Sequence, residues 1–381
     1  MVKKIVFTHN YKDGISMTKQ QSGINIDLGN RCSQIAYGWA KKTFDFRPAS
    51  SGRPVAGLDG AFSNVSDYHG LKIGISSDGI GTKIELAERT GIYHTLGFDL
   101  IAMVADDLAA NGMETVNLSN ILDVDFLDDR VIDQLMQGLY EAAKFARITV
   151  TGGEIAELGN RIGGWGSGMH FNWGATGVAI LPAGTQVIDG RNIRSGDVLI
   201  SLKSRGFRSN GFSLLRKIMQ ENFGDAWHRK KYDDSVSWGE KLLTPSLIYT
   251  PFVIDLIKAH KIPLHGIAHI TGGGIADNLR RVLKVAGLGA RLNSLFEPLE
   301  VMRRVQELGS VSEEKAYQLW NMGNGMILIA PPTHLNAILR LARENGYPAQ
   351  KAGVIIDESK IELHTQGLQP KMLVYPIQES K

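Results

Sequence analysis

The sequence predicts an α+β protein built from two mixed α/β domains, and three observations predict it. Strand-like and helix-like segments alternate in both halves of the chain. Glycine turns join strand to helix at 76–83 and again at 271–274. Between the halves, Pro182-Ala183-Gly184 and Asp189-Gly190 concentrate turn residues, which divides the chain into 1–182 and 183–381. A length of 381 residues suffices for about two such cores.

Residues 1–70 are polar and glycine-rich with weak periodicity, so mobile loops are expected there, apart from 31–42, which suits a helix. From 71 the pattern sharpens: 71–76 reads as a strand and 83–90 as a helix. Gly97-Phe98-Asp99 opens a helix that runs to Asn111, with Gly112 placed to end it. Residues 115–122 read as a strand, 128–145 as an amphipathic helix, and 148–151 and 174–181 as strands. In the second half, 197–201 is a short strand ahead of the loop 204–211, and 213–220 looks helical. The stretch 222–240 is polar and loop-like. Helix 246–260, strand 265–270, helix 275–284, strand 326–330, helix 334–344 and a closing strand 354–356 complete the order.

Hydrophobic content of 43% and charge of 21% belong to an ordinary soluble globular protein. The net charge of +3, without long blocks of one sign, argues against nucleic acid or an acidic membrane as partner. The 43 glycines cluster in turns, not in low-complexity runs, so disorder does not explain them. A single cysteine, Cys32, forbids an internal disulfide and fits a reducing compartment. The start MVKKIVFTHN lacks a signal-peptide core, and no apolar run approaches the roughly 18 residues that span a bilayer. A cytoplasmic location is expected.

Chemistry concentrates in the glycine turns. In Asp78-Gly79-Ile80-Gly81-Thr82-Lys83, a strand runs through a loop into a helix start, where backbone amides converge on an anion. Lys83 can meet phosphate charge there, and Asp78 can hold magnesium. The spacing is neither a P-loop nor a dinucleotide fingerprint, and a tight turn with a solvated lysine is the competing reading. On the following helix Asp107 lies within about 20° of Leu100 on the packing face. A buried bare carboxylate costs several kcal/mol or more, so Asp107 is read as a metal ligand. Asp99 is read as a helix cap, and for Asp106 a solvated position is the plain alternative.

Thr151-Gly152-Gly153-Glu154 supplies a third carboxylate at a strand end, either for magnesium or as a turn facing water. Thr271-Gly272-Gly273-Gly274 offers a phosphate cradle beside His265 and His269, which suit packing or substrate contact better than a metal. Ser209-Asn210-Gly211, preceded by Arg205 and Arg208, can grip phosphate or ribose. Asn321-Met322-Gly323-Asn324-Gly325-Met326 is a fourth glycine turn. Neither a Ser/His/Asp order, a cysteine nucleophile nor a zinc spacing stands out, so the chemistry points to phosphoryl transfer. No catalytic acid or base is assigned.

Taken in order, Asp78 to Lys83, Gly97 to Met103 with Asp107-Leu108, Gly152-Gly153-Glu154, Ser209 to Ser213, Ala268 to Gly274 and Asn321 to Met326 resemble the phosphoribosylformylglycinamidine cyclo-ligase family. The resemblance runs over roughly residues 20–356. It implies ATP and magnesium as cofactors, with formylglycinamidine ribonucleotide as the small-molecule substrate. It also implies a homodimer whose N-terminal domains join strands into a barrel. ATP and its phosphates would be held by Lys19 (or Gln20 in its place), Asp78, Gly79, Gly81, Thr82, Lys83, Gly152 and Gly153. Magnesium would be held by Asp78, Asp107 and Glu154. Substrate would meet Arg208, Ser209, Asn210, Gly211, His269, Thr271, Gly272, Gly273 and Gly274, with Arg208 on the ribose phosphate.

This chain departs from the family pattern at several places. Asp106-Asp107 stands where Asn-Asp is usual, and Arg208 stands where His is usual. Ala156-Glu157-Leu158-Gly159-Asn160 lacks the usual Pro, Arg280 replaces a Pro, and the loops near 161–173 and 222–240 are longer. The alternatives are a small-molecule kinase of the thiamine-phosphate kinase type and a non-catalytic nucleotide-binding paralogue. A selenophosphate synthetase or hydrogenase-maturation relative needs cysteine contexts that Cys32 and the ending Gln378-Glu379-Ser380-Lys381 do not provide.

Overall fold

A computed structural model describes residues 26–377 apart from 56 and 59. Lys19 and Gln20 therefore lie outside the described residues. The strands are β1 Ser51–Pro54, β2 Asn64–Tyr68, β3 Leu71–Gly79, β4 Glu114–Val124, β5 Thr149–Glu157, β6 Phe171–Ile180 and β7 Val198–Lys203. They continue as β8 Gly266–His269, β9 Gly289–Leu292, β10 Asn324–Ala330, β11 Ala349–Ile356, β12 Lys360–His364 and β13 Met372–Pro376. The helices are α1 Ile26–Lys41, α2 Ile84–Thr90, α3 Leu96–Ala110, α4 Asp129–Ala146, α5 Phe212–Phe223 and α6 Trp238–Leu242. After them come α7 Thr250–Lys258, α8 Gly274–Ala286, α9 Glu300–Leu308, α10 Glu313–Leu319 and α11 Leu335–Glu344.

The first sheet has the order β1-β2-β3-β6-β4-β5 and the second β13-β12-β9-β11-β7-β10-β8. Neighbours are antiparallel except β4 with β5 and β9 with β12. The parallel pair β4–β5 is joined through α4, as a parallel connection requires. Asp128 starts α4, its carboxylate accepting from the amides of Arg130 and Val131. In β4 the residues Leu118, Asn120 and Leu122 are buried while Ser119 and Ile121 are exposed, so one sheet face packs on helices and the other looks outward. Strands β7 and β10 are buried nearly throughout, which matches their continuous apolar runs at the centre of the second sheet.

Helix α3 decides the architecture. Every residue in it except Phe98 and Asp107 is buried. It packs on β3 and β6 from the first sheet and on α7 and β8 from the second. A helix that is buried nearly all round bridges two cores, and two of its acids, Asp99 and Asp106, are wholly cut off from solvent. The expected cap at Asp99 is therefore corrected: Thr95 stands at the cap and Asp99 is inside the first turn. The polar stretch 222–240 is also more ordered than its composition suggests. It holds a turn at Trp227–Arg229 and the start of α6, closed by a Ser237–Glu240 capping box. Past 356 the chain adds β12 and β13 instead of ending its sheet.

Candidate active site

Three loops meet beside α3 at the junction of the two sheets. Thr82 Oγ1 lies 3.4 Å from Ser213 Oγ, which ties the 78–83 loop to the start of α5. Asn210 Nδ2 is 4.0 Å from Met103 Sδ on α3. A methyl group added to Gly272 would stand 3.5 Å from Asn210 Oδ1, so the 208–213 and 269–274 loops are neighbours. Asn278 Nδ2 donates to the carbonyls of Gly272 and Gly274, which pins that last loop.

Two glycines are required by geometry. Gly81 has φ +68°, a left-handed conformation that other residues adopt only with strain. Gly274 has φ +66°, and a Cβ there would fall 1.8 Å from the carbonyl oxygen of Tyr317. Helices α5 and α8 open directly from Gly211 and Gly273, both left-handed. Their leading amides lack partners inside the helix and carry the positive end of the helix dipole toward the loops.

The acids of α3 are all engaged. Asp99 accepts from Lys83 Nζ at 2.7 Å and from the amide and hydroxyl of Ser246, and the pair is wholly buried. Burial works against both charges of that pair, and their mutual attraction opposes it only in part. Asp106 accepts from Arg208 Nη2 at 2.8 Å, and from the Tyr249 amide, the Thr250 amide and the Thr250 hydroxyl at 2.9 Å each. Asp107 Oδ1 lies 2.7 Å from His269 Nδ1. Burial pushes the Asp107 carboxyl up to about 7, with Arg281 and Arg208 opposing. Burial, opposed by the Gly79 amide and helped by Asp107, raises Asp78 to about 6. His269 is buried and held neutral, pushed down to about 3 by burial and by Arg208.

Several expectations are corrected here. Lys83, read as a phosphate contact, gives its ammonium to Asp99 and the Thr244 carbonyl inside the protein. Asp106, for which a solvated position was the plain alternative, is buried. Arg208, read as meeting the ribose phosphate, is buried among Asp106, His269 and the Leu247 carbonyl, whereas Arg205 is exposed. The three-carboxylate metal set does not assemble within one chain. Asp78 is aligned through Ala175 and Asn120 with Gly153, three strands away, or about 14 Å. Glu154 aligns with exposed Ile121 and so takes the outward face, while Asp78 aligns with buried residues on the helix-covered face. Gly152 and Gly153 share this distant edge strand with Glu154.

Comparison with known proteins follows the same division. The family "AIR synthase related protein, N-terminal domain" matches residues 59–179 and its C-terminal domain matches 194–366. A phosphoribosylformylglycinamidine cyclo-ligase from Thermococcus kodakarensis is 33% identical over 92% of this chain and 99% of that protein. One from Methanocaldococcus jannaschii is 32% identical over 91% of this chain and 94% of its own length. The chain belongs to the phosphoribosylformylglycinamidine cyclo-ligase family.

Among solved structures, a thiamine-monophosphate kinase from Stenotrophomonas maltophilia K279a gives a TM-score of 0.57 at 15% identity, covering 78% of this chain and 86% of that one. The hydrogenase maturation protein HypE, solved in complex with ATP, gives 0.54 at 16% identity, covering 79% and 85%. At such identity these show a shared fold and nothing more. Of the residues the cyclo-ligase resemblance assigns, Asp78, Gly79, Gly81, Thr82, Asp107, Ser209, Asn210, Gly211, His269, Thr271, Gly272, Gly273 and Gly274 belong to α3 or the three meeting loops. The buried Asp106–Arg208 pair escaped the reading by residue type. The two residues lie 102 positions apart, so nothing local in the sequence signals the pair.

Proposed function

We propose that this chain is an ATP-dependent cyclo-ligase that converts formylglycinamidine ribonucleotide to aminoimidazole ribonucleotide in de novo purine biosynthesis. The observation that carries the proposal is the meeting of loops 78–83, 208–213 and 269–274 around Asp107, in a chain that matches cyclo-ligases over nearly its whole length. The substrate's formamide oxygen is a poor leaving group until it is phosphorylated. Transfer of the γ-phosphoryl group of ATP to it, then attack by a substrate nitrogen on the activated carbon, closes the ring and releases phosphate. Phosphoryl transfer of this kind depends on positioning and charge neutralisation.

Each element has a matching part. The N-termini of α5 and α8 favour anionic phosphates. Asp78 and Asp107 interact electrostatically and provide hard oxygen donors, which suits magnesium held by two carboxylates with phosphate and water oxygens. Bound magnesium would neutralise charge on the transferring group.

A cytoplasmic homodimer with domains 1–182 and 183–381 completes the proposal. Its support is the outer face of the first sheet, where Tyr68, Leu71, Ile75 and Ile121 are exposed beside the open edge strand β5. A second copy covering this face would close the sheets into a barrel and cover Glu154. Among the described residues no helix is long and apolar enough to cross a membrane.

The test supplies formylglycinamidine ribonucleotide, ATP and magnesium and measures ADP and imidazole product together. Equal formation of both is expected. ADP without imidazole would favour the small-molecule kinase reading, and neither product would favour the non-catalytic one.

A further inference from the structure

Arg208 is an unusual residue on four counts. It is fully buried, its backbone is left-handed at φ +62°, its Nε has no hydrogen-bond partner among the described residues, and its guanidinium sits 5.0 Å from the Tyr249 ring. A non-glycine residue held in that backbone region is commonly part of a site. Its Nη2 reaches two acceptors at once, Asp106 Oδ2 at 2.8 Å and His269 Nε2 at 2.8 Å. Asp106 is itself clamped by three donors on its other oxygen, so it forms a rigid anchor.

The chemistry of arginine settles the state of the histidine. A guanidinium can only donate, so Nε2 of His269 must accept and carries no proton. The ring's single proton then sits on Nδ1, aimed at Asp107 Oδ1 2.7 Å away. That fixes one oxygen of Asp107, and Oδ2 has no hydrogen bond among the described residues. The chain of contacts runs from a buried anchor to the carboxylate beside Asp78: Asp106, Arg208, His269, Asp107.

We propose that Asp106 and Arg208 act together as a positioning pair, holding His269 in its Nδ1–H form and thereby setting how Asp107 is presented to the nucleotide. Both members are buried, so they act through His269 and not by direct contact. They form one buried ion pair. The role in turnover rests on the cyclo-ligase reading; the tautomer assignment does not.

The experiment uses the full chain labelled with 15N-histidine, with His269→Gln to assign the His269 signals. Wild type should show protonated Nδ1 and bare Nε2. Arg208→Met should give a mixed or reversed tautomer, together with a tenfold or larger loss of kcat and a KM for ATP within threefold. Arg208→Lys, which also can only donate, should keep the wild-type tautomer and recover much of the kcat lost in Arg208→Met. Asp106→Asn presents a donor to Arg208 where an acceptor stood, so it too should disturb the tautomer. Should Arg208→Met fail to fold, Arg208→Lys and Asp106→Asn still decide the matter. An unchanged His269 tautomer in Arg208→Met or Asp106→Asn overturns the proposal, as does a full kcat in either. If the wild-type chain makes no imidazole product, the cyclo-ligase reading fails, and the tautomer spectra still decide what Arg208 does.

Discussion

Replacing Asp107 by Asn should stabilise the nucleotide-free protein at neutral pH while removing its turnover. Asp107 is raised from 3.8 to about 7, mainly by burial. Ionising it inside the fold therefore costs about 4 kcal/mol relative to the unfolded chain. Its side chain is 17% exposed, and water screening reduces the realised figure to about 2 kcal/mol. Asn keeps an acceptor for the His269 proton, so the loss of charge is the main change. The sign follows from linkage. An acid whose folded value is raised is neutral in both states well below pH 4, and native stability falls as pH rises toward 7. The gain from Asp107→Asn should thus be near zero at pH 4 and reach its maximum above pH 7. For a chain of 381 residues, about 2 kcal/mol corresponds to roughly 2–3 °C in Tm. Thermal melts without nucleotide at pH 4.5 and pH 8, beside ADP release at pH 8, make the measurement. A lower Tm for the variant at pH 8, or the same shift at both pH values, would refute the burial argument; near-normal turnover would remove Asp107 from the metal site.

Other outcomes follow from the same geometry. Lys83→Met should lower stability by about 3–5 kcal/mol because it strands the buried Asp99 carboxylate. Adding Asp99→Leu should restore much of that loss in chemical denaturation, and additive losses would contradict a paired role. Gly274→Ala should cost several kcal/mol or abolish soluble expression, since its Cβ would collide with the Tyr317 carbonyl; a normal melting curve would mean the loop adapts. Ile121→Arg should convert the proposed dimer to monomer in sedimentation, because Ile121 lies exposed on the outer sheet face. An unchanged dimer would place the interface elsewhere.

Much of this protein was legible before any coordinates. The runs at 71–76, 115–122, 197–201 and 326–330 became strands, and 83–90, 128–145 and 334–344 became helices, because their apolar spacing already matches one period. The glycine turns marked the three meeting loops, since Gly81 and Gly274 serve conformations or clearances that other residues lack. Strands β1 and β2, in a stretch read as loops, and β9, β12 and β13 were missed because short strands in sheets assembled from distant segments carry little local pattern. The fate of the acids on α3 could not be read from its helical wheel, which knows one buried face. Tertiary structure wraps that helix with a second domain, so Ser246, Arg208, Thr250 and His269 arrive from far along the chain, and Lys83 from the preceding loop, to meet Asp99, Asp106 and Asp107. In the same way, strand alternation and lateral spacing send Glu154 to the opposite face from Asp78. Composition and motif order determined which groups this chain has for phosphate chemistry. Which of them meet was decided by packing, because a buried charge must find its partner wherever the fold supplies one.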